Sequence, residues 1–310
     1  MKASEIKFKD FLCQSKTDFI IPVYKSDYNW NKNRCQEYIK DIESLISNKR
    51  DSHFLGTFVY TKNDNIQNND DDIIEYIIID GQQRIITTML FLKAIYDITD
   101  NQNIKNEIQN EFLTINGTKK LKLKLITSDN EVFEKLLNDC EIDKNCLSKI
   151  YLNYKCMLEY LKNSSHEILS YYKTFKKLLI VYIELHKEVD NSQLIYESIN
   201  TPRHTLSQGD LIRNYILMNK NHTEQTYLYN NYWSKIEKHI NHNNITLYIT
   251  DYLTMKEHKI TKQDDVYNSF KNYIIKNKIK TEELLSDLLH YSEIYSMISE
   301  QFTKYKKLNH

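Results

Sequence analysis

The chain has 310 residues, of which 41% are hydrophobic and 27% charged, and its formal net charge is zero. This is enough apolar material for one large or two modest domains, and the charge balance excludes a global attraction to nucleic acid, leaving only a local basic patch for such contact. No stretch reaches the roughly 18 consecutive apolar residues of a membrane span.

Residues 1–12 mix Lys, Asp and Glu with apolar residues and no apolar leader core follows, so no export signal is expected and a cytoplasmic location is. The five cysteines (13, 35, 140, 146, 156) form no Cys-x-x-Cys pair, which speaks for reduced structural thiols rather than a disulfide framework or zinc ribbon. Asp18–Tyr24 reads as a short extended piece. Cys35, Tyr38, Ile39, Ile42, Leu45 and Ile46 recur at helical spacing and predict an amphipathic helix over Asn33–Asn48. Phe54–Tyr60 reads as a strand containing Gly56, Asn63–Asp72 as a solvated hairpin loop, Ile73–Ile79 as a β-run and Ile85–Ile98 as a helix.

Further on, Leu121–Ile126 alternates apolar residues with Lys and reads as a half-buried strand, and Leu178–Leu185 as another. Glu131–Asn138, Leu147–Leu161 and Asn191–Asn200 read as helices. Ser207 with Asp210 three residues on predicts a capped helix start, and Glu224 to Thr303 carries only helical signals. The expected architecture is α+β: a small mixed sheet with helices over 1–128, then a mostly helical domain over 129–310.

The segment Asp80-Gly81-Gln82-Gln83-Arg84 therefore sits at a strand-to-helix turn. The first backbone N–H groups of a helix lack intrahelical partners and carry the positive end of its dipole. A glycine there lets an anion such as phosphate approach the backbone, and Arg84 adds a fork of charged donors. Asp80 can hold a metal ion or orient a water, while Gln82 and Gln83 can bond a base, a ribose or that water. Thr87 and Thr88, one turn on, are further candidates for the same pocket. The structural alternative is an ordinary Asp-Gly turn followed by a surface arginine.

Four blocks occur in order: Ile21-Pro22-Val23-Tyr24 with Tyr28-Asn29-Trp30; Phe54-Leu55-Gly56-Thr57-Phe58-Val59; Asp80–Arg84 with Ile85-Ile86-Thr87-Thr88-Met89-Leu90; and Ile199-Asn200 with Leu206–Asn214. Together they resemble the N-terminal domain of the GmrSD-type restriction endonucleases, over residues 1 to about 220. The resemblance implies a ParB-like fold, and a nucleotide site at Asp80–Arg84 that binds and hydrolyses nucleoside triphosphates with a divalent metal such as Mg²⁺. It also implies a role in restriction of phage or modified DNA, with Tyr24, Tyr28, Trp30, Asn200 and Asp210 as pocket candidates. Homo-oligomers are compatible with it.

Two departures stand out. The family's Gln-Arg pair after the first tyrosine is replaced by Lys25-Ser26, and Lys does not copy Arg's planar fork. No segment resembles the C-terminal HNH nuclease of many members, so a nuclease is expected to be absent, to lie outside this sequence, or to be supplied by a partner chain. His239, His242 and His258 are read as surface histidines. The second functional reading is a DNA-binding or regulatory module that binds nucleotide without turnover. Lys119, Lys120, Lys122 and Lys124 form a basic strip, with Lys122 and Lys124 on one strand face as candidate DNA contacts; a solvated sheet edge is the bland alternative. Lys173, Lys176 and Lys177 among Tyr171, Tyr172 and Phe175 suit either base stacking or an amphipathic helix end.

Overall fold

The computed structural model describes all residues except 15, 26, 49–50, 64–72, 116–117, 126–128, 187–194, 196–206, 219, 242–243 and 305–310. The chain divides into two compact units, residues 1–22 with 26–190 and residues 23–25 with 191–310.

The first unit is built on a mixed six-stranded sheet in the order β1-β6-β3-β4-β2-β5. Its strands are β1 (Lys2–Lys7), β2 (Thr17–Ile21), β3 (His53–Asn63), β4 (Ile74–Asp80), β5 (Leu123–Leu125) and β6 (Leu178–Leu185). The β1–β6 and β3–β4 pairs are antiparallel, whereas β3–β6, β2–β4 and β2–β5 are parallel. The near-continuous apolar run of β4 fits a strand with neighbours on both sides.

Helices α1 (Phe8–Leu12), α2 (Lys32–Asn48), α3 (Gln82–Ile98), α4 (Gln102–Glu107), a π-turn (Ile108–Leu113), α5 (Asn130–Leu137), α6 (Lys149–Lys162) and α7 (Ile168–Phe175) complete this unit. The predicted face of α2 is the buried one, through Cys35, Tyr38, Ile39, Ile42 and Leu45. Every residue of α3 from Ile85 to Ile95 is buried, the signature of a helix enclosed on all sides, and it packs on α6, α7 and the π-turn. Rings from α1 and the strands form an aromatic cluster, with Phe8 and Phe58 at 4.9 Å and Tyr60 stacked on Tyr76 at 4.4 Å between centroids. Each such ring contributes about 2–3 kcal/mol by burial.

The second unit is helical: α8 (Gln208–Leu217), α9 (His222–Leu228), a π-turn (Tyr229–Trp233), α10 (Ser234–His239), α11 (Ile245–Glu257), a 3-10 turn (Gln263–Asp265), α12 (Val266–Asn277) and α13 (Thr281–Lys304). Its core includes Ile212, Leu217, Trp233, Leu253, Phe270 and Leu288. Among the described residues no helix is long and apolar enough to cross a membrane. All five cysteines are free thiols.

The α+β expectation, a mixed sheet followed by a helical region, holds. The division expected at residue 128 does not match the compact units: β6 lies between β1 and β3, so α5, α6 and α7 stay with the sheet. β1 was not anticipated. The Asn63–Asp72 loop from residue 64 on, and the Asn191–Asn200 helix apart from Ile195, lie outside the described residues.

Candidate functional site

β4 ends at Asp80 and α3 begins at Gln82, so Gly81 alone makes the turn. Its φ of +101° is the left-handed region, and a Cβ there would lie 2.6 Å from Cδ1 of Phe58. Both facts require glycine. Gly81 caps α3 with no side-chain acceptor, so the first-turn N–H groups of a 17-residue helix face the turn.

Arg84 folds back onto β3. Its Nη2 donates to the Thr57 carbonyl at 2.6 Å and lies 3.4 Å from Asp80 Oδ2, while the guanidinium sits 5.2 Å from the centre of the Phe58 ring. Gly56 makes this possible: with φ +127°, its ideal Cβ would be 2.2 Å from Arg84 Nη1. β3 shifts register between Phe54 and Gly56, a bulge that shapes the strand where the arginine lies. The side chains of Asp80 and Arg84 are 26% and 17% exposed, so the pair is sheltered yet reachable from solvent.

The two glutamines diverge. Gln83 is engaged with the loop before α2: Asn29 N–H donates to its Oε1 at 3.0 Å, and its Nε2 donates to the Asp27 carbonyl at 3.2 Å. Gln82 is half-buried, and its side chain makes no hydrogen bond among the described residues. Three residues not singled out from the sequence hold the same loop. Tyr28 N–H donates to Asp129 Oδ2 (2.6 Å), Lys149 Nζ to the Asn29 carbonyl (3.3 Å) and Asn153 Nδ2 to the Trp30 carbonyl (2.7 Å). Burial pushes the Asp129 carboxyl up to about 6, reinforced by Asp27 and opposed by the Tyr28 N–H and Lys149. No local pattern marks these residues, because their contacts span 101, 120 and 123 positions.

Several expectations are corrected. Thr87 and Thr88 are fully buried. The Thr87 hydroxyl bonds that of Tyr28 at 2.7 Å, and Thr88 bonds Tyr38 at 2.9 Å and the Arg84 carbonyl at 2.8 Å. Neither threonine lines a nucleotide pocket. Tyr28 is likewise a core residue, whereas Trp30 is half-exposed and borders a shallow cleft of about 400 Å³ with Asn29, Asn31, Asn33, Arg34 and Glu37. Lys122 is 1% exposed and its ammonium donates to the Glu111 carbonyl at 2.8 Å; Lys124 pairs with Asp18. Of the two candidate DNA contacts, Lys122 is therefore spent on the fold and Lys124 is ion-paired, while Lys119 and Lys120 lie exposed as a solvated edge has them. Tyr171, Tyr172 and Phe175 are buried, with Lys176 paired to Glu107, as an amphipathic helix end requires.

Tyr24 and Asp210 belong to the helical unit. Asp210 completes the predicted capping box with Ser207 and binds Arg213 at 2.9 Å. Arg213 is buried and also donates to Glu237 (2.8 Å) and the Tyr24 carbonyl (3.0 Å), and Glu237 accepts from Trp233 Nε1 (2.8 Å). This satisfied network is structural. Lys25 is buried, with its ammonium 5.6 Å from the Tyr24 ring centre. Asn200 lies outside the described residues. His239 bonds Ser292, and His258 closes α11 in the left-handed region; His242 lies outside the described residues.

Among the described residues no three His, Cys, Asp or Glu side chains converge to hold a metal ion. Asp80 is the one acidic side chain of the Asp80–Arg84 turn. A Mg²⁺ bound through one carboxylate plus a ligand's phosphates needs no more than that. The family model described as GmrSD restriction endonuclease, N-terminal domain, matches residues 8–217. No curated protein gives a significant match to the chain.

Proposed function

Since the chain belongs to the GmrSD restriction endonuclease N-terminal domain family, we propose that it is the nucleoside triphosphate-binding and hydrolysing component of a restriction system, gating DNA recognition or cleavage by a nuclease. The observation that carries this reading is the β4–Gly81–α3 turn, which brings an anion-accepting helix start, one carboxylate and one guanidinium together in a few residues.

In this reading the α3 N-terminus and Arg84 hold the phosphates of the nucleotide. Asp80 would hold Mg²⁺, which would supply neutralisation of the charge on the phosphates. Arg84 leaves the Thr57 carbonyl to reach its ligand, and Gly56 provides the space from which it swings. With Gln83 held by the loop, Gln82 is the glutamine free to orient the attacking water, as water-positioning glutamines do in other phosphoryl transfers.

The engagement of Gln83 also favours a second reading, in which nucleotide binds without turnover and acts as a regulator of a separate nuclease. Phosphate release measured with Mg²⁺ for each common triphosphate separates the two. The first reading predicts turnover that falls about 100-fold or more in Arg84→Ala, the scale of losing a charge-stabilising donor. Turnover unchanged in that variant contradicts it, and binding without release selects the second.

A further inference from the structure

The segment Asp27–Trp30 has no regular secondary structure, yet side chains from three helices hold its backbone. Gln83 of α3 takes Asp27 O and Asn29 N, Asp129 takes Tyr28 N, and Lys149 and Asn153 of α6 take Asn29 O and Trp30 O. An irregular backbone on a protein surface ordinarily satisfies these groups with water. Here a placed side chain meets each of these five backbone groups, accepting from Tyr28 and Asn29 N–H and donating to the Asp27, Asn29 and Trp30 carbonyls, so the segment is a strap with a fixed course. Asp129 underlines the point. It occupies the N-cap of α5 but makes no cap hydrogen bond, and its carboxylate goes to the strap.

We propose that Asp129, Lys149 and Asn153 are positioning residues of the nucleotide site, holding the strap so that the strap in turn fixes Gln83 and the first turn of α3. The inference rests on the nucleotide reading given above. Gln83 carries both the strap's bonds and the backbone N–H next to Gln82 and Arg84. Slack in the strap passes directly into the turn that receives the phosphates, where displacements of about 1 Å are costly to rate. The charged groups facing the Asp129 carboxylate are Asp27 from the strap and Lys149 from α6. A charge-assisted bond to Tyr28 N–H weakens when that carboxylate takes a proton.

The test uses the full chain and compares kcat and KM for phosphate release, with Mg²⁺-triphosphate, in wild type, Asp129→Ala, Asp129→Asn and Lys149→Ala. Asp129→Ala is expected to lose about ten-fold or more in kcat/KM. Asp129→Asn, which keeps only a neutral acceptor for Tyr28 N–H, as the protonated carboxyl does, is expected to lie between wild type and Asp129→Ala, at the level that wild type reaches below about pH 6. Wild-type activity should decline as the pH falls through about 6, and Asp129→Asn should lack that decline. Lys149 is exposed, so Lys149→Ala keeps the fold and should fall several-fold even where Asp129→Ala fails to fold. Wild-type turnover accompanied by unchanged Lys149→Ala kinetics and a shared pH profile in Asp129→Asn overturns the positioning role alone. A wild-type chain that binds no triphosphate overturns the nucleotide reading and this inference with it.

Discussion

At position 56 the missing Cβ is what allows a guanidinium to lie against the backbone of β3. Gly56→Ala places a methyl group 2.2 Å from Arg84 Nη1, at a φ of +127° that alanine rarely adopts. The expected cost is about 1–3 kcal/mol of stability, together with a loss of turnover smaller than that of Arg84→Ala, because the guanidinium is displaced from its place beside the turn but is still present to reach its ligand. Denaturant unfolding and phosphate release, measured side by side, check both; a variant with normal turnover would show that the Gly56 contact has no part in the site. Gly81 was legible, since a left-handed turn between strand and helix selects glycine. Lys122 was not: period-two alternation places it correctly beside Leu121 and Leu123, but nothing local reveals that its ammonium reaches the Glu111 carbonyl and is buried there.

Elements were legible where one face is apolar and the ends carry punctuation. The buried face of α2 follows from its spacing, and the Ser207–Asp210 capping box of α8 follows from two residues three apart. β1 escaped notice because Lys2–Lys7 has one part-buried residue, Ile6; its strand character comes from antiparallel pairing with β6. In the helical unit, α8 is tied to α10 through Arg213, which binds Asp210 and Glu237 while buried. Arg213→Ala leaves two carboxylates without their partner and is expected to cost about 3–5 kcal/mol. Hydrogen exchange across α8 and α10 should accelerate accordingly. Unchanged protection there would mean that the network contributes nothing to holding those helices together.

For the molecule as a whole, sequence order and spatial order part company. β6 arrives last among the strands and takes a place between β1 and β3, so the sheet unit runs to residue 190. A composition-based boundary has no access to that. The same reason hid Asp129, Lys149 and Asn153, whose meaning comes from a loop more than 100 residues away. By contrast, the Asp80–Arg84 turn depends on local geometry and could be read directly. Site-resolved amide exchange with and without Mg²⁺-triphosphate puts that turn to the test. Binding at the α3 N-terminus predicts slowed exchange at Gln82, Gln83 and Arg84. Protection that develops elsewhere in the chain while these three amides stay unchanged would contradict the account.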